Sequence, residues 1–135
     1  MLQYPDTVGG DLLRHAVDSR FDNASLAVVR DGIASVLSSP DPSIRVDRII
    51  EEVPAPFATV VHQLAVAPVP QRSEAELSAY VTGIVSALVD RELLRRKSEL
   101  LGRLQRTDRT DATTYATLQR ALVDLETERR ALRGD

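Results

Sequence analysis

His15 and His62 are the only imidazoles in a chain of 135 residues that contains no cysteine. Thiolate nucleophiles, thiolate metal ligands and disulfides are therefore excluded. Neither histidine sits in a His-Glu-x-x-His or comparable ligand spacing. Both fall beside the main apolar faces, where a solvated or structural imidazole is commoner than a catalytic one. Glu51 and Glu52 are adjacent, so on a helix they point to different azimuths and do not form a facing carboxylate pair. Gly9-Gly10 lacks the preceding strand, the third glycine and the Lys-Ser/Thr of a phosphate-cradling loop, and reads as a turn. No acid–base pair, activated nucleophile or metal set occurs at workable spacing. The sequence predicts no enzyme, no cofactor and no metal site.

What remains is charge. Two basic clusters, Arg95-Arg96-Lys97 and Arg129-Arg130 with Arg133, lie near the C-terminal end. The second is explained by cations offsetting a helix macrodipole, or by docking to an acidic partner. Tyr115 is the one aromatic residue nearby, which argues against single-strand binding. The net charge of −3 likewise argues against strong direct nucleic-acid contact. Its distribution is uneven: residues 1–90 hold 6 Arg against 12 acidic residues, and residues 91–135 hold 11 Lys or Arg against 8. Two regions of different character are implied. Within the first, Arg14, Arg45 and Arg48 are exposed basic candidates. No apolar stretch approaches the roughly 20 residues of a membrane span, and no signal peptide is visible, so a cytoplasmic protein is expected.

The elements that carry these residues are helical. Tyr4-Pro5-Asp6 and Gly9-Gly10 interrupt regular structure near the start, after which Asp11 caps a short helix carrying Leu12, Leu13, Ala16 and Val17 inward. Asn23 caps the next, with Leu26, Val29, Ile33, Val36 and Leu37 on one face, ended by Pro40 and Pro42. A third starts after Ser43 and carries Val46, Ile49, Ile50 and Val53. Another short helix from Pro56 carries Phe57, Val60, Val61, Leu64 and Ala65. Pro68 and Pro70 break the chain, and the capping box Ser73-x-x-Glu76 opens a long helix. Leu77, Tyr80, Val81, Ile84, Leu88 and Val89 form its buried face. If it runs from Ser73 to Arg106 it spans ~50 Å, more than a small domain is wide. Thr107 to Thr110 turn, and Asp111 caps a last helix with Tyr115, Leu118, Leu122, Leu125 and Leu132 at alternating three- and four-residue spacing. Arg129 and Lys97 occupy positions where that register expects apolar residues.

The expected architecture is all-α: a helical bundle over residues 1–92 joined by the long helix to an antiparallel helical hairpin over residues 93–135. Two helices alone bury little, so the hairpin should dock on its own domain or be completed by another protein.

Several strings, in their order and spacing, resemble the C-terminal domain of bacterial DnaG-type primases. They are Leu2-Gln3-Tyr4-Pro5, Phe21 with Ala27 to Ile33, Leu64 to Pro68, Lys97 to Arg106, Tyr115, Leu122 to Glu126, and Arg129 to Leu132. The resemblance implies a non-catalytic domain that docks on the N-terminal domains of the hexameric DnaB-type helicase and recruits primase to the replication fork. It implies that the hairpin supplies most of the grip, through Tyr115, Leu118, Leu122, Leu125, Arg129, Arg130 and Leu132. Some family members also hold the acidic tail of single-strand binding protein. The zinc-binding and polymerase domains of primases have no counterpart here, and the helix that should precede Leu2-Gln3-Tyr4-Pro5 is almost entirely missing, which leaves a loosened bundle or an exposed groove as the expectation.

Two other readings compete. The helicase's own N-terminal domain resembles the primase bundle in fold, but a flexible linker to a motor domain should follow it, where this sequence ends in Arg-Gly-Asp. A self-associating helical adaptor would pair two hairpins into a four-helix bundle.

Overall fold

The computed structural model describes residues 1–69 and 73–134. Pro70, expected to share the break before the long helix, lies outside the described residues, as does Asp135 of the terminal Arg-Gly-Asp. The described chain is all-α: α1 (Pro5–Val8), α2 (Gly10–Val17), α3 (Ala24–Leu37), α4 (Val46–Glu52), a 3₁₀ turn (Ala55–Phe57), α5 (Ala58–Val66), α6 (Glu74–Arg106) and α7 (Ala112–Arg133). It forms two compact units, Met1–Val85 and Ser86–Asp135, divided within α6.

The core of the first unit gathers Val17 of α2, Val29, Ile33 and Val36 of α3, Ile49 of α4 with Val53 just after it, and Val61 of α5. All seven are β-branched, the weaker helix formers. Their burial rather than their propensity holds these helices, at about 1.5–3 kcal/mol for each fully buried side chain. The N-terminus of α3 is set locally, because the Asn23 side chain accepts a hydrogen bond from the Leu26 N–H at 3.0 Å. Asn23→Ala is expected to lower stability by about 1 kcal/mol in a denaturant titration. An unchanged midpoint would mean that water serves that end equally well.

Three boundaries and one buried face differ from expectation. Tyr4-Pro5-Asp6 does not interrupt structure: Pro5 occupies the first helical position of α1, where its missing N–H costs nothing. Gly9, at φ 85°, then turns the chain into α2, and Asp11 lies in the first turn instead of capping it. Helix α4 begins at Val46, because Asp41 first accepts from the Ser43 N–H in a tight turn. Along α6 the buried positions advance in steps of four, Val81, Val85, Val89 and Leu93, and Ile84 flanks that stripe at 52% exposure, in the lining of a cavity and not in the packed core.

Arg48 is also not an exposed candidate. Its guanidinium donates to the carbonyls of Asp41 and Ser43 and to Ser39 Oγ, clamping the loop that Pro40 and Pro42 were expected to make. Arg14 and Arg45 remain exposed, each beside a carboxylate. Gln3 donates from Nε2 to the carbonyls of Leu64 at 2.8 Å and Ala67 at 2.7 Å, serving acceptors that the end of α5 leaves unsatisfied.

Candidate partner-binding hairpin

The second unit is a helical hairpin made by the C-terminal part of α6 and by α7. Its turn is built from short side chains. Asp108 accepts from the Thr110 N–H at 2.9 Å, and Asp111 accepts from the Thr114 N–H at 3.2 Å to start α7. Those hydrogen bonds hold both carboxyls below the usual carboxylate range, that of Asp111 chiefly through Thr114. At the far end Gly134, at φ 78°, closes α7 in the left-handed conformation that only glycine adopts without cost.

The seam is thin. Its buried apolar side chains, among the described residues, are Val89 and Leu93 of α6 and Leu118 and Leu125 of α7. The two polar interruptions of the register lie beside it and reach across. Lys97 Nζ meets Glu126 at 2.7 Å, and Arg129 Nε donates to Asp90 at 2.9 Å. Long stems let both cations cover the seam while their heads find carboxylates.

The first basic cluster is neutralised internally. Glu92, only 6% exposed, accepts from Arg95 and from Arg96, and Arg95 also pairs with Glu99. The hydrogen bond to Glu92 raises the Arg95 guanidinium further above its already high value. These pairs are three and four residues apart, so the signal was present in the sequence. The cluster is a helix-surface network, not an unpaired patch.

The expected partner-binding residues fall into different environments. Leu118 and Leu125 are buried in the seam, and Arg129 is tied to Asp90 and Glu126. Tyr115, Leu122 and Leu132 are half-buried, and Arg130 is exposed. The most accessible large apolar side chains of the hairpin are Leu94, Leu101 and Val123, at 43%, 41% and 65% exposure, none of which is among the partner-binding residues expected from the sequence. A helical wheel without knowledge of the seam direction does not separate them from the inward leucines.

Lys97 holds the Glu126 carboxyl below its ordinary value, with a smaller contribution from Arg129. A carboxyl depressed in the folded state stabilises fully above its unfolded value and loses that contribution as pH falls through the folded one. Thermal midpoints should therefore fall on acidification from about pH 7 to about pH 3, and Glu126→Gln should start lower and fall less. A variant whose midpoint falls as steeply as the parent's would remove Glu126 from this account.

The first unit contains a cavity of about 270 Å³, with Leu26, Ile33, Leu64, Tyr80 and Val81 in its lining and Arg30 among them. Arg30 lies 5.4 Å from the Phe21 ring centre and donates to the Ser19 carbonyl at 2.8 Å. His15 and His62 are both exposed. Among the described residues no three His, Asp or Glu side chains gather where they could hold a metal ion. Nor is any described helix long and apolar enough to cross a membrane.

The fold has a counterpart of known structure. A solved chain described as the helicase binding domain of primase from Mycobacterium tuberculosis matches with a TM-score of 0.75 at 24% identity, covering 98% of this chain and 84% of that one. No protein-family model and no curated protein matches the sequence. The likeness extends across both units, so bundle and hairpin alike belong to the shared fold.

Proposed function

We propose that this chain is a non-catalytic interaction domain of a bacterial DNA primase, which docks on the N-terminal domains of a DnaB-type replicative helicase and brings primase to the fork. The observation that carries this reading is the fold shared with a primase domain described as helicase binding, over 98% of the chain. The hairpin supports it: a thin seam and outward apolar side chains suit an element that a partner completes. In this reading Leu118, Leu125 and Arg129 set the hairpin's geometry, and Tyr115, Leu122, Arg130 and Leu132 have the accessibility to meet the helicase. The cavity of the first unit, apolar with Arg30 in its lining, suits the acidic tail of single-strand binding protein as a second partner.

Calorimetric titration of the full chain into the replicative helicase of the same organism tests the reading. Saturable binding is expected, lost with a helicase that lacks its N-terminal domains. Absence of binding by a folded chain would overturn it, and a stable dimer in light scattering would then favour the self-associating adaptor.

A further inference from the structure

The two broad faces of the hairpin differ in charge. On α6, Leu94 lies four residues after Asp90 and three before Lys97, and Leu101 lies four after Lys97, so these side chains form one stripe. On α7, Val123 lies three residues before Glu126, and Arg130 four after it. The pairs Lys97–Glu126 and Arg129–Asp90 join the two stripes and neutralise each other's charge. This face therefore offers Leu94, Leu101 and Val123 around internally matched ions, with Arg130 at its rim. The other face is a groove in which five charged side chains, Arg103, Asp124 and Glu128 among them, surround the apolar Leu93, Leu100, Ala121 and Leu125.

We infer that the charge-matched face, through Leu94, Leu101 and Val123, is the one that packs against the helicase, while the charged groove stays in water. The inference rests on the helicase-docking reading and adds which side of the hairpin makes the contact. Burying the groove would strip water from Arg103, Asp124 and Glu128, and also from Arg96 and Glu99, which already pair with Glu92 and Arg95. Burying the other face removes three exposed apolar side chains from water, and its charges already have partners within the hairpin. The occupant it fits is an apolar helical surface of the helicase, without a strong charge of either sign.

The test uses the full chain and the intact helicase. Leu101→Arg with Val123→Glu should weaken binding about tenfold or more, with the thermal midpoint unchanged because both positions are exposed. Arg103→Glu with Asp124→Lys, in the groove, should leave affinity within about threefold of the parent. Affinity should also change little between low and high salt, because the contact is not electrostatic. If the parent binds and the groove variant alone loses binding, the inference fails and the docking reading stands. If the parent does not bind helicase at all, the docking reading fails first. A parent dimer that the Leu101→Arg, Val123→Glu variant dissociates would assign this face to a second copy of the chain and overturn the inference.

Discussion

Replacing Leu118 and Leu125 together by Ala should unfold the hairpin and, on the docking function proposed above, abolish helicase binding. The second unit buries four apolar side chains among its described residues, and this substitution truncates the two that α7 contributes. Each truncation of a fully buried Leu costs about 2–5 kcal/mol, the larger part where the surroundings cannot collapse into the space. Helix propensity does not offset that loss, since Ala gains only a few tenths of a kcal/mol over Leu and helices in proteins draw most of their stability from packing an apolar face. The cross-helix pairs Lys97–Glu126 and Arg129–Asp90 do not replace it, because partly exposed ion pairs contribute little once the seam that positions them is gone. Far-UV circular dichroism should show loss of helical signal in the double variant. The pair Leu118→Met and Leu125→Met, which conserves volume, should retain signal and binding. Retained helicity in the double-Ala variant would show that the seam does not hold the hairpin together.

The features legible in the sequence were those whose partners lie close along it. Asn23, Ser73 and Asp111 each accept from an N–H three residues on, so a residue type at one position was enough to place a helix start. The all-α class and the hairpin followed from spacing in the same way. What escaped depended on the packing direction of whole helices. Arg129 meets Asp90 across 39 residues and Gln3 meets Leu64 across 61, and no local pattern pairs them. Three- and four-residue steps look alike over two turns, so spacing alone puts Ile84 in the core, whereas the buried stripe of α6 keeps to steps of four and leaves Ile84 at its edge, half exposed in the cavity lining. The same uncertainty of rotation governs the hairpin surface. Leu118 and Leu125 lie in the seam and Val123 at 65% exposure outside it, a distinction that depends on which side of α7 meets α6.

Gly32 offers the opposite test, a position where the usual helix rule should give the wrong sign. It lies inside α3, where Ala in place of Gly ordinarily stabilises by about 1 kcal/mol. Here an added Cβ would stand 2.7 Å from Cγ1 of Val53 and 3.4 Å from Cγ2 of Ile49. Both neighbours are buried and β-branched, with no flexible end to move aside. Gly32 thus sets how closely the region around α4 approaches α3, and the overlap outweighs the propensity gain. Gly32→Ala is expected to destabilise the chain by about 1–3 kcal/mol in a denaturant titration. Val53→Ala removes the methyl that the new Cβ meets, at its own cost for lost burial. In the double variant the overlap is gone, so the two substitutions together should cost clearly less than their sum, a coupling that a double-mutant cycle reads directly. Additive costs, or a stabilising Gly32→Ala, would mean that α3 and α4 separate freely and that the glycine is not there for close approach.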